Sequence, residues 1–517
     1  MHESGEKVLP NHKNRMKTIE IPDDVAAALY RTASPGTEAP EMFQILEIGR
    51  DNGLVGEADT YLTCIIAMVR GQLVVLYGTS RGGKDFVLET AFKAFPSDYV
   101  YEWPNDESPT APFYNAEEIN GYPTQYFGDM AGVQDHQEKI LKAFGEGNDA
   151  DRSVTDISAA EGDEAKMQKL VCPRTTFATF ATDNRNFDFN DWPEVRKRSF
   201  MIGVDGSKQQ TENIIMQKAI EHADDTTRNV DPLTAAKIRE YLGAIPAAMF
   251  TDHPNNMIVL PASREMAEQK PMPTEFPEAR FDFERLMKYT ETVTLMNHAN
   301  RLTIDTDAGK KMLTTPGDVW MAMKIMGENM IISALNLTDE DQAVLRFLKE
   351  STGSEERSTI QQGLRADGYN INDRDVARSL KSMRENGYIS INDNASGPNS
   401  YSLSPFHSVT QVEVGLDYAK IVEACREKVY EKSYVPDVVA DFYAETFCTG
   451  EGLFQRNPYT GEAVDITEDT ELQEVIDGAT ESAEETFDEP MFGSETSTND
   501  DTADAQAEAK TQGTLAD

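Results

Sequence analysis

Residues 74–92 read VVLYGTSRGGKDFVLETAF. The apolar run 74–77 has the profile of a buried parallel strand, and Phe86, Val87, Thr90 and Ala91 recur at helical spacing after it. Between them lie Gly78, Thr79, Ser80, Arg81, Gly82, Gly83 and Lys84, at the spacing of a loop that cradles nucleotide phosphates. Small residues let successive backbone N–H groups turn inward at a helix N-terminus, where the dipole also favours negative charge, and Lys84 adds a full positive charge. Strand, glycine turn and helix in this order predict an α/β fold. One position departs from the pattern: the residue after the lysine, usually a Ser or Thr whose hydroxyl sits on magnesium, is Asp85. A carboxylate holds magnesium directly or through water, yet it also places negative charge beside the phosphates, so a working and a damped hydrolytic site both stay open.

Outward from this loop, residues 57–69 (EADTYLTCIIAMV) read as an amphipathic helix leading into the strand. After the loop helix come two apolar runs at 99–103 and 123–130 (PTQYFGDM), then a third within 170–183 that contains most of TTFATFATDN. Strands alternating with helices argue for a sheet with helices around it. From 208 to 250 the pattern turns helical, with further helices expected at 281–299 and 316–335, the last started by Thr315 as N-cap with Pro316 at its first position. The expected organisation is a polar segment at 1–56, an ATPase core at 57–207, a helical lid at 208–336, a small module at 337–406, a helical segment at 407–450 and a disordered acidic tail at 451–517.

The 517 residues suffice for roughly two to four domains. The net charge of −42 comes partly from the tail, whose basic residues are Arg456 and Lys510 alone, and partly from stretches that read as folded, such as 205–231. An acidic surface of that kind suits a halophile cytoplasm, because carboxylate repulsion is screened within about 3 Å at molar salt; an ordinary acidic protein is the plainer alternative. Cys64, Cys172, Cys425 and Cys448 are widely spaced, with no CxxC pair and no HExxH, so neither a disulfide framework nor a zinc site is indicated. No run of about 18 apolar residues exists, and residues 1–17 lack the apolar core of a signal peptide. A cytoplasmic location without membrane contact is expected.

The module at 337–406 has its own signature. LTDEDQAVLRFLKE, STIQQGLRADG and NDRDVARSLKSMRENG read as three helices, the third stopped by Gly387, and YISIND with NSYSLS reads as a hairpin. Three helices and a hairpin are the sequence look of a winged helix. In the third helix Val376, Leu380 and Met383 make an inward stripe, while Arg374, Arg378, Lys381 and Arg384 take outward positions. A basic face on an acidic chain points to DNA; a solvated surface or a protein-binding module is the competing reading.

A nucleotide-hydrolysing site also needs an acid at the end of a second strand, a polar sensor on a third and an arginine for the transferring phosphoryl. Asp129, ending QYFGD, fits the first and would hold magnesium together with Asp85. Asn184, ending TTFATFATDN, fits the second, with Asp183 as the weaker candidate, and Arg198 in EVRKRSFMIGVD fits the third, with Arg196 as the alternative.

With GTSRGGKD, QYFGD, VCPRTTFATFATDN and EVRKRSFMIGVD in place, residues 57–335 resemble the AAA+ ATPases, and within them the minichromosome-maintenance and viral or plasmid replicative helicases. The resemblance implies an AAA+ core with a parallel sheet, a ligand of ATP with Mg2+, a homo-oligomeric ring such as a hexamer, and DNA as partner. It also implies a sensor at Asn184 and an arginine finger at Arg198 that acts on the neighbouring subunit. Residues 144–173 resemble the family's channel hairpin, which would bring Lys166 or Lys169 near DNA, and Arg280 or Arg285 would serve as a second sensor. The chain departs from the family at Asp85, at the single acid Asp129 without a second carboxylate, and in having no zinc-bearing domain before the core. Two functions follow as expectations: a DNA-acting ATPase in replication of a halophilic archaeal plasmid, virus or chromosome, or a weakly or non-hydrolysing initiator, loader or winged-helix regulator. A partition or packaging ATPase fits the helical lid and the small module less well. The acidic tail is a candidate contact for a protein partner.

Overall fold

Leu73–Gly78 forms strand β1, and each of its residues is buried. A strand covered on both faces needs a layer of helices on each side, and parallel neighbours suit it best. The computed structural model describes residues 39–104, 108–130, 135–155, 165–181, 192–206, 208–223, 229–247, 250, 255–271, 279–335, 339–351, 353–369, 371–385, 388–392, 398–403, 413–469 and 473–474. Within them β2 (Val100–Trp103), β3 (Thr124–Asp129), β6 (Thr175–Ala181) and β7 (Ser199–Gly203) join β1 in a five-stranded sheet of order β2-β3-β6-β1-β7, every pairing parallel. Two intervening strands, β4 (Ala150–Thr155) and β5 (Ala165–Leu170), pair antiparallel as a separate hairpin.

Alternation along β1 divides the core in two. Leu73, Val75 and Tyr77 face a layer built on α6 (Asp135–Gly145), with Ile140, Leu141 and Phe144 buried against Phe127 and Phe180. Val74 and Leu76 face the other way, against α2 (Ala58–Arg70), α3 (Lys84–Phe92), α11 (Ala279–Met296) and α12 (Pro316–Leu335). The remaining helices of this part are α1 (Met42–Asp51), α4 (Ala111–Tyr114), α5 (Ala116–Ile119), α7 (Pro193–Arg196), α8 (Lys208–His222), α9 (Pro232–Gly243) and α10 (Ser263–Gln269). A second small sheet, of order β8-β10-β9, uses β8 (Met257–Val259), β9 (Thr303–Thr306) and β10 (Gly309–Leu313).

Residues 208–336, expected as a lid, do not stand apart from the core in the described structure. Leu286, Tyr289 and Val293 of α11 and Trp320 and Met326 of α12 are buried in the same cluster as Val74 and Leu76. The start of α12 is fixed by a reciprocal cap, with Thr315 N–H donating to Asp318 Oδ2 (3.0 Å) and Asp318 N–H to Thr315 Oγ1 (3.4 Å). Asp318 is fully buried, and Arg301 neutralises it with two hydrogen bonds of 2.8 and 2.6 Å.

The module after the core folds as α13 (Asp339–Glu350), β11 (Glu355–Glu356), α14 (Arg357–Ala366), α15 (Asp373–Glu385), β12 (Ile389–Asn392) and β13 (Ser400–Leu403), with an antiparallel sheet of order β11-β13-β12. Val376, Leu380 and Met383 of α15 are buried, as the stripe requires. Gly387 lies outside the described residues.

The disordered tail needs correction at its near end. Residues 451–469 fold: β15 (Phe454–Arg456) pairs with β16 (Ala463–Asp465), following β14 (Glu413–Val414), α16 (Tyr418–Tyr430) and α17 (Asp437–Phe447). Ile466 is fully buried, Trp320 Nε1 donates to Asp469 Oδ2 (2.7 Å), and the Tyr459 hydroxyl donates to Lys324 O (2.9 Å). Leu453, Tyr459, Val464 and Ile466 anchor this stretch to α12, and the surrounding acid masks them in a composition reading. β17 (Gln473–Glu474) pairs with β14, and residues 475–517 lie outside the described residues. Among the described residues no helix is long and apolar enough to cross a membrane.

Candidate nucleotide site

Ligands of open parallel sheets gather beyond the carboxyl ends of the strands. The loop 78–83 leaves β1 at that edge, between β6 and β7. Gly78 is required by close approach, since a methyl group there would come within 2.5 Å of Val204 Cγ2, just past β7. Gly82 N–H closes a turn onto Thr79 O (2.9 Å), Arg81 takes φ +68° and Gly83 takes φ +93°, a left-handed conformation that glycine adopts without strain. Helix α3 then starts, its first bond running from Val87 N–H to Gly83 O (3.0 Å). Lys84, the first residue of α3, is buried, with 6% exposure. A glycine turn running into a helix N-terminus that opens on a lysine is an arrangement that can receive phosphate oxygens.

Asp85, in the first turn of α3, is exposed, and its Oδ1 accepts a hydrogen bond from the Tyr126 hydroxyl of β3 (3.0 Å). Burial, then the Asp85 charge, push the Tyr126 phenol far above its ordinary range, so it stays a donor. Asp129 is exposed at the end of β3. A bulge between Phe127 and Asp129 shifts the register so that Asp129 pairs with Thr179, while Tyr126 pairs with Phe177. Paired residues share a face, so the extra residue turns Asp129 onto the face that carries Tyr126 and α3. Carboxylate oxygens are the donors a hard divalent cation takes, and Asp85 and Asp129, on one side of the sheet at its strand-end edge, would hold magnesium, which supplies charge neutralisation of the phosphates when bound.

The wall beside the loop escaped the sequence reading. Glu57, the N-cap of α2 at φ +52°, accepts the Asp205 N–H beyond β7, and Gln210 Nε2 donates to Val55 O (2.6 Å). These bonds bind the 53–57 turn to the segment 204–210, whose Val204 and Gly206 flank Gly78 and Thr79. Gly53, at φ +88°, lies over the half-exposed Phe86 ring of α3, where an added methyl would sit 3.4 Å from Phe86 Cζ. The turn and Phe86 give the phosphate loop a partly apolar neighbour of the kind a base needs. Burial, with Asp205 and Asp59 adding to it, raises the Glu57 carboxyl to about 7. The available signal was Gly53 and Gly56 closely flanking a helix start; nothing in the pattern indicates that Glu57 faces Asp205.

Arg198 lies elsewhere. β1 begins at Leu73, which pairs with Ser199, so Arg198 sits at the strand-start edge, about 17 Å along the strands from the loop. Glu146 and Glu194 hold its guanidinium, each at 2.8 Å. Arg196 is half-buried nearby. The same edge carries Arg70, paired with Glu291 of α11 (2.7 Å), and Lys288, whose ammonium is pushed down to about 8, by burial first and by Arg70 next. Arg285 is tied to Asp282 (2.6 Å) and acts on Lys288, which sets it toward this edge; Arg280 is exposed. Asn184 and Asp183 lie outside the described residues. One chain therefore places the glycine loop, Asp85 and Asp129 at the strand-end edge and Arg198 at the opposite edge.

Lys169 of β5 pairs with Asp149, and only the backbone of Lys166 is described. On α15, Arg374, Lys381 and Arg384 are exposed and Arg378 is half-exposed, 3.8 Å from Asp375. Their face is basic and points away from the buried stripe.

The fold is a parallel α/β core with a glycine-rich loop and a helix N-terminus at the carboxyl end of its central strand. No family model and no curated protein matches the chain. Among solved structures, a protein of Cytophaga hutchinsonii provisionally described as an ATPase shares 14% identity, with 64% of this chain and 94% of that one covered, at a TM-score of 0.33. NtrX of Brucella abortus, crystallised with ADP, shares 16% identity over 48% of this chain and 65% of its own, at a TM-score of 0.22.

Proposed function

We propose that the chain is an ATP-binding AAA+ ATPase that acts on DNA. The observation that carries this reading is the parallel order β2-β3-β6-β1-β7, with the loop leaving β1, Asp129 ending β3 and Arg198 placed at the opposite edge. ATP seats its phosphates on the N–H groups of 78–83 and on Lys84, and its base against the 53–57 turn and Phe86. Mg2+ is shared by Asp85 and Asp129. Arg198 serves the ATP of a neighbouring copy in a ring, where its distance from its own loop becomes an advantage. Asn184 of TTFATFATDN senses the nucleotide. The 339–403 module is a winged helix whose Arg374, Arg378, Lys381 and Arg384 meet DNA phosphates, and the β4–β5 hairpin reaches DNA within the ring through Lys166 or Lys169. Helicase-like work in replication, in the cytoplasm of a halophile, is the setting that best fits the acidic composition, and residues beyond 475 offer a protein partner an acidic segment.

ATPase rate measured with and without single- and double-stranded DNA at molar KCl tests this. DNA-stimulated turnover that Lys84→Ala abolishes is expected; no ATP binding, or binding indifferent to Lys84→Ala, sinks the reading. A second reading, a nucleotide-held initiator or loader with little turnover, is favoured by Asp85 where a hydroxyl is usual and by Asp129 as the single acid of QYFGD. Tight ATP binding without turnover, with DNA protection that depends on Arg378 and Arg384, would select it.

A further inference from the structure

Tyr126 ties the first turn of α3 to the sheet. Its hydroxyl donates to Asp85 Oδ1 at 3.0 Å, its ring packs edge-on against Phe92 of the same helix at 5.4 Å, and the buried Thr179 lies on the same face of the neighbouring strand β6. Asp85 stands where a Ser or Thr hydroxyl usually reaches magnesium. Such a hydroxyl is short, neutral and held close to its helix. A carboxylate is longer and charged and has a second side-chain torsion, so it presents the same oxygen each time only if something outside the helix fixes it. The β3 bulge meanwhile turns Asp129 onto the Tyr126 face, in register with Thr179. Phenol, both carboxylates and the Thr179 hydroxyl therefore share one side of two adjacent strands.

We propose that Tyr126 is a positioning residue whose hydroxyl holds the Asp85 carboxylate as the loop's magnesium ligand, so that this chain couples magnesium to nucleotide through a Tyr–Asp pair in place of a Ser or Thr. The inference rests on the nucleotide reading above. It separates two roles that a hydroxyl combines: Asp85 supplies the oxygen, and β3 sets its direction.

The test is calorimetric titration of the full chain with ATP, in EDTA and in excess Mg2+, reading the ratio of the two dissociation constants. Wild type, Tyr126→Phe, Asp85→Ser and the double variant are compared, with thermal melts as the control for folding. Tyr126→Phe keeps the ring packing and is expected to cut the magnesium enhancement about tenfold, while changing nothing further in the Asp85→Ser background. Asp85→Glu is a second probe at an exposed site: it keeps the charge, displaces the carboxylate from Tyr126, and is expected to lose the enhancement as well. An unchanged ratio in Tyr126→Phe or Asp85→Glu overturns the proposal, as does an equal effect of Tyr126→Phe with and without Asp85. A wild type that binds ATP in neither condition overturns the nucleotide reading along with it, which separates the two failures.

Discussion

At the strand-end edge of the sheet lie the buried Lys84 and four carboxylates, Asp85 on the first turn of α3, Asp129 at the end of β3, Asp205 beyond β7 and Glu57 bonded to the Asp205 N–H. At the strand-start edge four cations, Arg70, Arg198, Arg285 and Lys288, lie among as many carboxylates, Glu291, Glu146, Glu194 and Asp282. One edge offers backbone donors, a helix N-terminus and exposed carboxylates; the other offers guanidinium groups already held by carboxylates. On the reading proposed above, the first edge seats the nucleotide of its own chain and the second serves that of a neighbouring copy.

Arg198→Ala carries the largest expected effect. If Arg198 acts across a subunit boundary, turnover should fall about a thousandfold while ATP affinity of the isolated chain stays within about twofold. Mixing it with Lys84→Ala chains should restore some activity, because each supplies what the other lacks. Equal loss of affinity and turnover, or no rescue, would place Arg198 in a purely structural role with Glu146 and Glu194. Lys84→Ala is next: truncating a buried cation at the phosphate seat should weaken ATP binding about a hundredfold or more, with little change in melting temperature. Equilibrium titration with a fluorescent ATP analogue reads it.

Asp85→Ser sharpens the strand-end edge. A unit charge about 6 Å from a phosphate is worth roughly 3 kcal/mol at an effective dielectric of 20, before screening. Removing it should tighten metal-free ATP by about tenfold. If turnover rises as well, Asp85 damps the site; if turnover falls, the carboxylate is a needed magnesium ligand.

How much of this was legible depends on whether a signal is local. The loop, its strand and its helix are contiguous, so spacing alone places Gly78, Gly83 and Lys84, and burial periodicity places Val376, Leu380 and Met383. The 451–469 fold was hidden because a few apolar anchors sit in acidic sequence. Tyr126 and Glu57 were hidden for a different reason. Tyr126 reads as one more apolar residue in QYFGD, and its hydroxyl gains meaning only when β3 lies beneath α3, 41 positions away in sequence. Glu57 reads as a first-turn acid, and its partner Asp205 is 148 positions distant. Long-range pairing of single polar atoms leaves no period to count.

The same two edges should respond oppositely to pH. Glu57 titrates near 7 when folded against 4.5 as its ordinary value, so the folded chain binds more protons between those values and stability should fall as pH rises through that window. Lys288 titrates near 8 against 10.5, so the unfolded chain binds more protons there and stability should rise as pH climbs from about 8 to 10.5. Each group stays partly open to solvent, which trims the effect to about 1 kcal/mol. Urea melts across the range check it: Glu57→Gln should flatten the acidic slope alone, and Lys288→Met the alkaline slope alone. A variant that flattened both, or neither, would mean that the two edges do not titrate independently and that their opposed charges are felt through the sheet as one field.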